Sequence, residues 1–508
     1  MGSGDPIYLE SNSLSRLKWP SLIAAAAVLV GSGTAVVAAT STGTSTAASV
    51  SAQSTAADRP GTDLARQLQA GILAMPDLRH PRHLTRADVT AARPNAAAAG
   101  TPATSPPTTA ECRKTYQAPC FSGLQLAHAY RADAAHRAGL TGRGVTVVLP
   151  TIWGSDRLAE DLALYSRQYH LPAPNIEVHH YGKIPPMPAP DDPMAPARYE
   201  YAEETTLDAT AIHSIAPDAR IVVLATNGQG DETYGPYPAI LAAMRSYTQA
   251  HPGVIFSHSY GSLETGTPNA VWNTLDRSLA QISRLGATMV VSNGDTGDTD
   301  GQSADPVVPW PASSPHVTAV AGTGVHLDDN GNRLSPDTVW SDTHGLGVAT
   351  GGGLSAIFGR PTYQDQVKGQ VGNHRATSDF AMNADVDSRI IVRSTYNVLG
   401  GTISNTGGWY RIAGTSEAAP LTAGLLALVR QAAGQPLGNI NPALYALAAE
   451  PARAKAAGLL DVTSGCNAVA GNPGYCARTG WDIVSGNGTA GDTRRLVPAL
   501  ALASRHRR

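Results

Sequence analysis

Between residues 140 and 300 the chain alternates short continuous apolar runs with longer amphipathic ones. The runs at 144–149, 219–225, 253–257 and 287–292 are too short for helices, and they predict strands. The runs at 155–169, 202–215, 236–250 and 268–285 predict helices; in the second, apolar residues at 207, 211, 212 and 215 share one face until Pro217 ends the run. Strands alternating with helices make a βαβ pattern. An α/β fold with a mainly parallel central sheet flanked by helices is expected.

The first 110 residues read differently. Ser21 to Thr40 is Ala/Val-rich and follows Arg16 and Lys18, which predicts a secretory signal sequence over 1–39 with a small-residue cleavage site near Val37-Ala38-Ala39. The same stretch is long enough to span a bilayer, so an uncleaved N-terminal anchor over 21–40 is the alternative. Ser41 to Ala57 and Ala91 to Pro107 are low-complexity linkers, with room for a short helix between Leu64 and Asp88. The expected organisation is therefore a leader, a linker or short pro-segment over 40–110, and one large domain over 111–508.

Composition narrows the function. With 37 basic and 40 acidic residues among 508 and a net charge of −3, the chain has no basic footprint for nucleic acid, and Arg505-His506-Arg507-Arg508 is too short to supply one. Four cysteines, Cys112, Cys120, Cys466 and Cys476, allow three connectivities; export favours disulfides, and local pairing is the simplest choice. Zinc is not expected, since neither C-x-x-C nor HExxH spacing occurs. His179 and His180 adjoin in a strand-like run and point to opposite faces.

Three segments carry chemistry. Gly414-Thr415-Ser416-Glu417-Ala418-Ala419-Pro420 runs into the apolar stretch Leu421–Val429, so Ser416 sits at a helix start, where free N–H groups favour developing negative charge. It is a candidate nucleophile; an ordinary helix cap is the bland alternative. Glu204 and Asp208 are four apart on a helix, which puts two carboxyls on one face, close enough to share protons and raise at least one pKa. A solvated acidic face would explain them as well. Gly286–Ser292 followed by Asn293-Gly294-Asp295-Thr296-Gly297 reads as a buried strand delivering Asp295 to the ligand side of an α/β sheet, or as a simple turn.

In this order, E-x-x-x-D, G-D-x-G and G-T-S-x-x-x-P resemble the sedolisin family of serine-carboxyl peptidases. Further stretches fit: Gly142–Val148 is similar to the opening strand, Ser257–Glu264 to the SxSYGxxE strand end, and Trp310–Thr323 and Gly351–Ser355 through Gln364 to later motifs. The resemblance runs from about Glu111 to Gly488 and implies a subtilisin-like architecture. It also implies roles: Ser416 as nucleophile, Glu204 as general base, Asp208 as the carboxyl orienting Glu204, and Asp295 as part of the oxyanion hole beside the Ser416 N–H. Carboxylic acids would then replace imidazole in a Ser-His-Asp logic, which suits acidic surroundings.

Leu460–Thr463 and Arg478–Asp482 resemble the family's calcium site. The implied ligands are the carboxylates of Asp461 and Asp482 and the backbone carbonyls of Val462, Arg478 and Gly480, an all-oxygen set suited to hard calcium. Arg478 stands where the family usually has Gly. The family also carries a folded prodomain of well over a hundred residues, which the polar, repetitive segment ahead of Glu111 is too short to build. Two functions are therefore carried forward: an exported, monomeric peptidase cleaving proteins or peptides at acidic pH, and a catalytically silent relative binding peptides or cell-surface partners.

Overall fold

The computed structural model describes residues 105–230, 233–299, 306–399, 403–469 and 471–505, all within the compact unit spanning 58–508. The signal or anchor segment and nearly all of the linker lie outside the described residues.

A ten-stranded sheet organises the unit. Its strands are β1 (Thr146–Ile152), β2 (Asn175–Tyr181), β3 (Arg220–Thr226), β4 (Ile255–His258), β5 (Thr288–Ser292), β6 (Thr318–Gly324), β7 (Thr338–Val339), β8 (Phe380–Asn383), β9 (Leu459–Leu460) and β10 (Thr489–Ala490). The spatial order is β9-β10-β8-β6-β5-β4-β1-β3-β2, with β7 paired to β6 off this path. Only β7 on β6 and β9 on β10 are antiparallel. After β1 the chain passes to the edge strand β2 and returns to β3 between the two, then continues with β4 on the other side of β1, so the order reverses between β1 and β4. Open α/β sheets bind ligands at such a reversal, beyond the strands' C-terminal ends.

The short apolar runs become the inner strands because both faces are covered. On β1, Val147 and Leu149 face one core and Val148 the other. The first core holds helices α1 (Leu158–Gln168), α2 (Ala195–Ile215), α5 (Thr415–Ala433) and α6 (Thr493–Arg505); the second holds α3 (Tyr237–Ala250) and α4 (Asn269–Arg284). Every predicted strand and helix of the 140–300 region is present, with ends displaced by a few residues. The exception is α2, predicted from 202 but starting at Ala195. Its first two turns bury Arg198 and Glu200 as well as Tyr199 and Tyr201, so no apolar stripe marks them. Pro196, in the first turn where a missing N–H costs nothing, fixes the earlier start.

A small side sheet pairs Cys120–Phe121 with Arg389–Ser394 in parallel and Arg389–Ser394 with Gly408–Ile412 antiparallel. The last of these strands leads directly into α5. Disulfides join Cys112 to Cys120 and Cys466 to Cys476, the local pairing expected.

Candidate active site

The sheet and two helices bring Ser416, Glu204, Asp208 and Asp295 to one place. α5 packs against α2 and against β4, β5, β6 and β8. At their contact Gly424 meets Ile215 so closely that an added Cβ would stand 2.9 Å from the Ile215 Cβ. That close approach lets the first turn of α5 reach the middle of α2. Ser416 is the second residue of α5, and Glu204 and Asp208 project from successive turns of α2.

All four side chains are buried, Ser416 completely and Asp208, the most accessible, at 6% exposure. Charges here act through a medium far less screening than water. Glu204's two carboxyl oxygens and the Ser416 hydroxyl have no hydrogen bond among the described residues. Ser416 nevertheless acts on Glu204 as a donor, opposing burial, so the two groups are neighbours without a hydrogen bond of normal geometry. Such pairs tighten when a substrate closes around them. Burial pushes the Glu204 carboxyl well above the usual carboxylate range, and the charges of Asp208 and Asp295 push the same way. Asp208 is raised by burial too, against a hydrogen bond of 2.7 Å from the Ser259 hydroxyl. The two carboxyls therefore titrate as a pair that keeps one shared proton above the pH at which free acids lose theirs.

Asp295 follows β5 and wedges under the helix start. Its Oδ1 accepts the Thr415 N–H at 2.6 Å and the Thr415 hydroxyl at 2.8 Å. The neighbouring Gly294 N–H donates to the Thr415 hydroxyl oxygen at 3.1 Å. Thr415 thus fixes Asp295 one residue from Ser416.

Two contributors escaped sequence reasoning. Ser259, at the end of β4, places its single hydroxyl proton on Asp208 and stands 3.5 Å from the Ser416 carbonyl. That carbonyl lacks an intrahelical donor because residue 420, four ahead, is a proline. The serine within the SxSYG stretch was the available signal. Thr415 is the other; it was visible in the Gly-Thr-Ser run, but its bond to Asp295 joins segments 120 residues apart.

Comparisons with known proteins bear on this arrangement. A family model described as the subtilase family matches residues 200–443. Kumamolisin of Bacillus sp. (strain MN-32) is 31% identical over 407 residues, covering 78% of this chain and 66% of the relative. Sedolisin of Pseudomonas sp. (strain 101) is 35% identical over 226 residues, covering 42% and 35%. The structure of Pseudomonas sedolisin, a serine-carboxyl proteinase complexed with two molecules of pseudo-iodotyrostatin, superposes with a TM-score of 0.61 at 26% identity over 77% of this chain and 99% of that one. The chain belongs to the sedolisin family of serine-carboxyl peptidases. It spans 66% of kumamolisin and 35% of sedolisin, so only part of each curated relative's length is represented.

The subtilisin-like fold expected of a sedolisin-family chain is the one observed. The residues expected to hold calcium also lie together: Asp461 accepts the Gly480 N–H at 2.8 Å, and Asp482 accepts the Arg478 N–H at 3.1 Å, so both carboxylates close on the same 478–482 turn. Asp482 is 1% exposed, raised in pKa by burial, and forms no ion pair among the described residues. Four hydrogen bonds, from the N–H groups of Arg478, Val484 and Ser485 and from the Ser485 hydroxyl, offset part of the cost of burying that charge, and a divalent cation would supply the missing counter-charge. No cluster of three or more His, Cys, Asp or Glu able to hold a metal occurs among the described residues, so any ion here would need backbone oxygens. The residues present fit calcium, which accepts such donors.

Proposed function

We propose that the chain is an exported serine-carboxyl peptidase that hydrolyses peptide bonds of proteins or peptides in acidic surroundings. The observation that carries this reading is the sealed meeting of Ser416 with Glu204. A nucleophilic hydroxyl and a carboxyl stand side by side without other hydrogen-bonding partners, a second carboxyl lies one turn away, and a third is held at the start of the serine's helix.

In the proposed reaction the Ser416 Oγ attacks the scissile carbonyl carbon while its proton passes to the Glu204 carboxylate. Asp208, held by Ser259, orients Glu204 and keeps a proton within the pair. The carbonyl oxygen becomes an oxyanion that accepts from the Ser416 N–H and from protonated Asp295. Glu204 returns the proton to the leaving amine, giving an acyl-enzyme on Ser416. Water then enters and its oxygen attacks the ester carbon while Glu204 takes its proton; collapse breaks the bond to Ser416 Oγ, which receives the proton back from Glu204 as the carboxylic acid product leaves.

Calcium is proposed at Asp461 and Asp482 with the carbonyls of Val462, Arg478 and Gly480. When bound it would neutralise the two carboxylates and fix the 478–482 turn.

The test is incubation of the purified chain with denatured protein at about pH 4 and at about pH 7.5, with and without calcium. Fragmentation at the acidic pH that disappears in Glu204→Gln is expected. Absence of fragments at both values, with calcium present, would contradict the reading.

A further inference from the structure

The oxyanion-side loop does not stand alone. Its backbone is stitched to residues 349–351: the Ala349 N–H donates to the Asp295 carbonyl at 3.1 Å, the Gly297 N–H to the Ala349 carbonyl at 3.0 Å, and the Gly351 N–H to the Gly294 carbonyl at 2.7 Å. Behind both segments lies the hairpin closed by Cys466 and Cys476, and its Asn467 is completely buried. Asn467 spends both ends of its side chain. Its Nδ2 donates to the Gly352 carbonyl at 3.2 Å, and its Oδ1 accepts the Tyr475 N–H at 2.7 Å. Its own N–H donates to the Tyr475 carbonyl at 3.0 Å, across the hairpin.

The hairpin also presses on the loop directly. Gly297 has φ +73°, a conformation other residues resist, and an added Cβ would stand 2.5 Å from the Asn467 carbonyl oxygen and 2.6 Å from Val469. Farther along, the Asn472 Nδ2 lies 3.4 Å from the Thr299 hydroxyl. One short covalently closed hairpin therefore touches the loop at Gly297 and at Thr299, and through Gly352 it ties down the segment to which that loop is bonded.

We propose that Asn467, clamped by the Cys466–Cys476 disulfide, is a positioning residue that fixes the Asp295 carboxyl for oxyanion stabilisation. This rests on the peptidase reading of Asp295. The physical need is plain: an oxyanion donor works only if it is already in place when charge develops, and displacements of about 1 Å can cost on the order of a hundredfold in rate. Asp295 is fixed on its side-chain end by Thr415. Its backbone end is fixed through Ala349 and, behind that, through the Gly352–Asn467 bond. Reduction of the disulfide would release the hairpin in an oxidising-compartment protein and slacken the same chain of contacts.

The test compares wild type, Asn467→Ala and the Cys466→Ser/Cys476→Ser double variant in the full chain. Each should lower kcat by on the order of tenfold or more with KM nearly unchanged, since the oxyanion forms only in the transition state. Hydrogen exchange should rise in peptides covering 293–299 and 349–353 while α2 stays protected; this readout needs no activity and so separates failure of the brace from failure of the peptidase reading. In an Asp295→Asn background, the further loss on Asn467→Ala should shrink to less than about threefold, because coupled groups are not additive. Wild-type exchange at 293–299 in both variants, or a kcat loss that adds in full to that of Asp295→Asn, would overturn the proposal. If Asn467→Ala does not fold, the double serine variant carries both readouts.

Discussion

At the scale of single residues, the four proposed catalytic positions were legible because each lies in a short motif whose spacing survives any change of loops. Glu204 and Asp208 share a helix face by arithmetic alone, and Ser416 is placed by its helix start. Asp295 needed the family resemblance, since its five-residue stretch is otherwise a turn. Its proposed work sets a pH limit: a neutral carboxylic acid donates to an oxyanion, whereas a carboxylate repels it. Activity should therefore fall as Asp295 ionises with rising pH. Asp295→Asn keeps the size and a donor but cannot titrate, so the variant should retain some activity and extend it toward neutral pH. The shift is partial, because the Glu204 and Asp208 carboxyls, both raised by burial, titrate as well. The pH profile of kcat/KM for both proteins checks this; an active variant whose alkaline limb coincides with wild type would refute it.

At the scale of elements, the site depends on how α5 crosses α2. The periodic second half of α2 was readable, but its first two turns were not, because a helix buried on all sides carries no stripe. The crossing itself was invisible in sequence: a glycine inside a helix costs about 1 kcal/mol relative to alanine without saying what it packs against, and only the structure shows Ile215 filling the space a side chain would take. Gly424→Val should wedge the helices apart, destabilising the fold by about 1–3 kcal/mol, as overpacking does. It should also lower kcat, because Ser416 and Glu204 sit on opposite sides of the wedge. Chemical denaturation and steady-state kinetics on one preparation check both; a variant of wild-type stability would show that the crossing has room to spare. Ser259, Thr415 and Asn467 were missed for the same reason: their contacts join segments far apart in sequence.

At the scale of the whole molecule, the interior is built for acid. Beyond the site, burial raises Glu203 and Glu417 well above the usual range, Asp161 to about 6 and Asp385 to about 7. A carboxyl whose pKa is higher folded than unfolded contributes stability that is fully present below its unfolded value near 4 and is lost as pH rises through the folded value. Thermal stability should therefore be greater at about pH 4.5 than at about pH 7.5, the fall running through the values of Asp161 and Asp385. A melting temperature that rises across that interval would contradict the account. Calcium should act on the same quantity: an ion binding only the native state at a hundred times its Kd stabilises by about 2.7 kcal/mol. A chelator should thus lower the melting temperature, and Asp482→Ala should abolish the response. An unchanged melting curve, with no calcium found by elemental analysis, would remove the proposed ion.

Ser416 is proposed as the nucleophile of a carboxyl-activated peptidase, and replacing its hydroxyl tests that role most directly. Ser416→Ala removes one buried oxygen that makes no hydrogen bond among the described residues, so the fold should persist, as circular dichroism and melting can verify. Measured on a peptide substrate at about pH 4, its kcat/KM should fall by on the order of 10⁴ to 10⁶, the scale of losing a triad serine. A folded Ser416→Ala protein that still turns over substrate within about a hundredfold of wild type would contradict the account.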